Sequence, residues 1–78
     1  RRQNEETWQC WKLLTPREQE VAALICLGYT NRQIAVRLGV APETIKTHVR
    51  NLLVKFNLHQ RNQLRERLAG WDFSAWER

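Results

Sequence analysis

The stretch from Pro42 to Asn57, PETIKTHVRNLLVKFN, is two-faced, and this constrains the chain more than any other feature. At about 100° per residue, Ile45, Val49, Leu52, Leu53 and Phe56 gather on one side of a helix, while Glu43, Lys46, Thr47, Arg50 and Asn51 gather on the other. The first side needs a core to bury it. The second is a row of charged groups, short hydroxyls and amides suited to a polar partner or to water. Pro42 can occupy the first helical position, where the N–H it lacks would have had no partner. Asn57 tolerates the left-handed turn that stops a helix.

Two shorter segments lead into this one. Thr15-Pro16-Arg17-Glu18 and Thr30-Asn31-Arg32-Gln33 both have capping-box spacing, in which a Thr hydroxyl and a Glu or Gln three residues on satisfy each other's backbone N–H groups. The first predicts a helix from about Pro16 to Leu27, with Val21, Leu24 and Ile25 inward and Gly28 as its stop. The second predicts a short helix with Ile34, Ala35 and Leu38 inward, ended by Gly39. A short helix, a tight turn containing Gly and a longer helix with a basic outer face are the outline of a helix-turn-helix. Beyond a turn at His59-Gln60, Arg61 to Ala69 reads as a further helix, with Leu64 and Leu68 on one face. No segment alternates apolar and polar residues as a strand would, and no repeat is present. The expected fold is all-α, a four-helix bundle containing a helix-turn-helix.

With 78 residues, 42% of them hydrophobic, the chain can build one modest core and little more. Thirteen Lys and Arg against eight Asp and Glu leave a net charge of +5, which favours polyanions as partners. The largest local excess, three cations against one anion, falls on residues 41–58. There is no Gly-rich phosphate loop, no carboxylate pair on a defined element and no nucleophile spaced from a base, so an enzyme is not expected and no cofactor is implied. Cys10 and Cys26, with His48 and His59, match no zinc-ligand spacing. Cys26 reads as a small core residue and Cys10 as a free thiol in a flexible arm. No run of eighteen apolar residues and no leader segment occurs, which predicts a soluble, cytoplasmic chain. A chain that starts at Arg1 and contains no Met is expected to be a piece of a longer protein.

Three regions follow. Residues 1–14 form an arm or linker end, polar and disordered through Asn4, with Trp8 and Trp11 on one side of a helical turn. Residues 15–69 form the helix-turn-helix domain. Residues 70–78 form a tail whose Trp71, Phe73 and Trp76 are costly to leave in water; the arm, the tail or both are expected to pack on the helices, with a binding role for exposed aromatics as the weaker alternative.

The segment LTPREQEVAALICLGYTNRQIAVRLGVAPETIKTHVRNLLVKFNLHQRNQL resembles the LuxR/GerE-type DNA-binding domain of quorum-sensing regulators and NarL/FixJ-type response regulators. Three motifs carry the resemblance in order: L-T-P-R-E-x-E-V, G-x-T-N-x-x-I-A and T-I-K-T-H-V-x-N-L-L-x-K. It covers Leu14 to about Ala69. It implies sequence-specific binding of double-stranded DNA by the effector domain of a bacterial-type transcription regulator, with the helix at 42–57 in the major groove. The base-reading positions then correspond to Lys46, Thr47 and Arg50, with Glu43 near enough to add or exclude contacts. Candidate phosphate contacts are Thr30, Asn31 and Arg32 at the head of the second helix and Thr44, His48, Asn51 and Lys55 along the third.

The chain departs from the family's habit in three places, the mildest being Asn57 where a Gly often follows the third helix. Ala41 stands where a capping residue is usual, which should weaken that helix start by about 0.5–2 kcal/mol. Asn62 and Arg65 stand on the last helix, where many members dimerise through small apolar side chains, so at most a weak homodimer on DNA is expected. The resemblance also implies an upstream receiver or ligand-binding domain in the full-length protein. A reading from another class keeps the fold but makes it a protein-interaction module, binding through the last helix or the Trp-bearing arms.

Overall fold

Helix formation follows the caps. In the computed structural model, which describes residues 2–77, α1 spans Arg2–Leu13, α2 Pro16–Cys26, α3 Asn31–Leu38, α4 Pro42–Lys55 and α5 Arg61–Arg67, with a 3-10 turn at Ser74–Trp76. Both predicted capping boxes are formed. Thr15 Oγ1 accepts from the Glu18 N–H at 3.1 Å while Glu18 Oε1 accepts from the Thr15 N–H at 2.9 Å, and Thr30 and Gln33 make the same pair of bonds at the same lengths. The stops are equally local. Gly39 has φ 69°, and Asn57, at φ 58°, ends α4 so that the Leu58 N–H reaches back to the Leu53 carbonyl at 2.8 Å.

The all-α expectation holds, with no strand among the described residues. α2 is the central element, packing against α3, α4 and α5, and its Val21, Ala22, Ala23, Leu24 and Ile25 are all buried. Around it lie Ile34, Ala35, Ile45, Leu52, Phe56, Leu64 and Leu68. Of the stripe predicted on α4, Ile45, Leu52 and Phe56 are fully enclosed, and Val49 and Leu53 pack at its edge.

The arm is the correction. Arg2–Leu13 is helical, so a fifth helix stands where disorder through Asn4 and a flexible Cys10 were expected; Arg1 lies outside the described residues. The reason is the face formed by Thr7, Trp11 and Leu14, all buried at helical spacing. The Trp11 ring is met by Trp71, Phe73 and Trp76 of the tail at centroid distances of 5.6, 5.7 and 6.1 Å. The carbonyls that close α1 also find donors. Trp11 O accepts from Gln19 Nε2 at 3.1 Å and Leu13 O from Lys55 Nζ at 3.3 Å. Arm and tail therefore order each other, and Cys10 sits half-buried between turns of a helix. Trp8, by contrast, is 51% exposed.

Trp11→Ala should accordingly cost about 3–5 kcal/mol in urea unfolding, and Trp8→Ala about 1 kcal/mol or less. Equal costs would mean that α1 does not dock through Trp11.

Candidate nucleic-acid interface

Burying Ile45, Leu52 and Phe56 leaves α4 one orientation on the core, and that orientation decides which side chains face water. Glu43, Thr44, Lys46, Thr47, Arg50 and Asn51 are exposed, and His48 is half-buried at the border of the stripe. Within this face the contacts are few and weak. Lys46 Nζ lies 3.6 Å from Glu43 Oε2, both side chains largely in solvent, and Thr47 Oγ1 donates to the Glu43 carbonyl at 3.3 Å. Among the described residues no carboxylate is paired with Arg50 or Arg32. The head of α4 is open: Ala41 has the extended conformation of an N-cap but offers no side-chain bond.

The preceding helix of the motif, α3, packs against α4 and runs into it through the Gly39 turn. Thr30 spends its hydroxyl on the cap, Arg32 is exposed, and Asn31 is half-buried. Asn31 is held from outside its own helix. Arg61, the first residue of α5, donates from Nη1 to Asn31 Oδ1 and from Nη2 to the Tyr29 carbonyl at 2.6 Å. Burial, with the like charge of Arg65 beside it, pushes the Arg61 guanidinium below its ordinary value. The sequence reading passed over Arg61. A signal was present: a cation at a helix N-terminus opposes the helix dipole, so some other partner has to hold it there.

Lys55 has partners inside the fold. Expected among the phosphate contacts, it is turned inward instead, with Nζ 2.6 Å from Oε1 of the buried Glu18. Burial alone would raise the Glu18 carboxyl, but the bond and charge of Lys55 and the Thr15 bonds outweigh it and hold that carboxyl below its usual value. Asn62 and Arg65 are exposed on α5 and line a shallow groove with Cys26 and Trp71. Burial pushes the Cys26 thiol up to about 11, which leaves it protonated and inert near neutrality. No helix among the described residues is long and apolar enough to cross a membrane.

A short capped helix packed on a longer one, with a polar and partly unpaired face on the second, is the architecture of a helix-turn-helix regulator, and the chain belongs to the luxR family of bacterial regulatory proteins (GerE), whose family model matches residues 12–67. It is similar to the nitrate/nitrite response regulator protein homolog of Haemophilus influenzae, 50% identical over 48 residues that make up 62% of this chain and 23% of that protein. It is likewise similar to the HTH-type transcriptional regulator MalT of Vibrio cholerae, 52% identical over 50 residues, 64% of this chain and 6% of MalT. The response regulator protein VraR of Staphylococcus aureus is 40% identical over 55 residues, 70% of this chain and 26% of VraR. The chain thus spans about a quarter or less of the length of these relatives. No solved structure matches it at a significant level.

Two predictions follow from the local chemistry. Ala41→Ser supplies the missing acceptor at the head of α4 and should add about 1 kcal/mol, read as a higher thermal midpoint. Because the Glu18 carboxyl is depressed in the folded chain, its contribution is complete above the value of an unfolded carboxyl and is lost as pH falls through the folded one. Lys55→Gln removes the partner and leaves the burial. That variant should be about 2 kcal/mol less stable at neutral pH, and the gap to the parent should close on acidification, because the parent loses the Glu18 contribution while the variant, with burial left to raise that carboxyl, has little of it to lose. Urea midpoints across about pH 3 to 7 check both statements, and parallel curves for variant and parent would refute the coupling.

Proposed function

We propose that this chain is a sequence-specific double-stranded DNA-binding domain of a cytoplasmic transcription regulator, with α4 lying in the major groove and no catalytic role. The observation that carries the reading is the outer face of α4, where Lys46, Thr47 and Arg50 stand exposed on a helix whose opposite side is locked into the core. An Arg or Lys at such a position can donate to guanine O6 and N7, and the Thr methyl can meet a thymine methyl. Glu43, loosely paired with Lys46, biases that end against phosphate and toward a cytosine amino group. Thr30, Asn31 and Arg32 at the head of α3, with Thr44, His48 and Asn51 on α4, are the groups we assign to the phosphate backbone. Lys55 is left out of that set because the fold already uses it.

Two copies meeting through α5 would bring Arg65 side chains toward each other, which supports at most a weak homodimer on DNA. The greater length of the relatives supports a parent protein with a receiver or ligand-binding domain elsewhere in its chain.

Fluorescence anisotropy of labelled duplexes at two salt concentrations tests the reading. Wild-type chain should bind with an affinity that falls as salt rises, by about 0.9 in the logarithmic slope per phosphate neutralised. The Lys46→Ala/Arg50→Ala double variant should fail to bind. On a selected operator, Arg50→Ala should cost about 1–3 kcal/mol and relax the preference at one base pair. Equal losses on operator and random DNA would remove Arg50 from the base-reading set.

A further inference from the structure

Arg61 lies on α5, outside the two helices of the motif, yet its guanidinium bonds to the first residue of α3 and to the loop that precedes it. A guanidinium has donors and no acceptor, so the Asn31 amide has to turn its oxygen toward Arg61. The amide nitrogen is thereby turned away from α5, and among the described residues no acceptor is bonded to it. An unrestrained Asn at this place could present either its carbonyl or its NH2 group. Bonded to Arg61, it presents donors. The second bond, to the Tyr29 carbonyl, fixes the loop one residue before the Thr30 cap, so the backbone that carries Asn31 is held from the same side chain.

We propose that Arg61 is a positioning residue of the DNA interface: it orients the Asn31 amide so that the NH2 group faces outward beside Arg32 and donates to a backbone phosphate. The half-buried guanidinium, with both of its bonds made inside the chain, does not itself reach the phosphate. This rests on the DNA-binding reading above and adds to it a residue from a third helix. It also accounts for a cation at the head of α5, where the helix dipole disfavours one.

A double-variant cycle on the 78-residue chain tests it, by anisotropy with a labelled random-sequence duplex at several salt concentrations and thermal melts beside each titration. Arg61→Gln should weaken binding about tenfold, the size expected of one charge-assisted hydrogen bond made ineffective. In an Asn31→Ala background the same change should weaken it less than about threefold, because the group that Arg61 orients is gone. Arg61→Lys keeps the charge but cannot hold both acceptors in a fixed fork, and should behave like Arg61→Gln. The slope against salt should not change in any of these variants. A slope lowered by about 0.9 in Arg61→Gln would show direct phosphate contact and overturn the proposal. So would additive losses in the cycle, or full binding by Arg61→Lys, while wild-type binding kept the DNA-binding reading intact. Failure of the wild-type chain to bind at low salt would overturn both together.

Discussion

Glu18 is the point through which three elements are tied. Its carboxylate closes the capping box of α2 by accepting from Thr15, and it accepts from Lys55 at the far end of α4; Lys55 in turn donates to the Leu13 carbonyl that ends α1. A buried carboxylate without these donors would be costly, whereas with them it sets where α1 ends, where α2 begins and how α4 lies across both. The apolar stripe fixes the rotation of α4 about its axis. The ion pair fixes its position along that axis.

Arg61 plays the matching part at the opposite end of the motif, holding the head of α3 from α5. A third set of contacts brings in the tail: Arg37 of α3 donates to the Trp76 carbonyl at 3.1 Å and lies 4.9 Å from the centre of the Tyr29 ring, while Tyr29 Oη donates to Glu77 at 3.3 Å. The helix-turn-helix is therefore braced by groups outside it. Its outer face, by comparison, makes few bonds, as suits a surface whose donors have to be available to a partner.

How legible all this was in the sequence depended on the range of the interaction. Caps and stops act within a few residues, and Thr15, Thr30, Gly39 and Asn57 could be placed from spacing alone. The core stripe of α4 was legible because its period is that of the helix. The inward turn of Lys55 was not legible, for a geometric reason. It lies about 80° from Ile45 around the helix, at the edge of the stripe, where a long side chain can turn either way and a distant Glu18 decides. His48, about 60° away on the same side, sits on that border too and is half-buried. Of α1 only the turn at Trp8 and Trp11 was legible; its full length escaped because its apolar face is narrow, and only the tail, some sixty residues later in the chain, completes its burial.

Net charge is a poorer guide to the interface than the +5 total suggests. Lys55, Arg61 and Arg37 are cations already engaged by carboxylate, carbonyl or amide oxygens of the fold. Removing them from the reckoning leaves Arg32, Lys46 and Arg50 as the cations of the α3–α4 face, opposed by Glu43. The Lys46–Glu43 contact is long and solvated, worth about 1 kcal/mol at most, so Lys46 can exchange it for a nucleic-acid oxygen at little cost. Among the described residues Arg50 has no such bond to give up. Two cations one helical turn apart thus differ in how much they lose on binding. In the DNA interface proposed above, that difference, set by whether a carboxylate stands three residues away, favours Arg50 over Lys46 as the stronger anchor of the two.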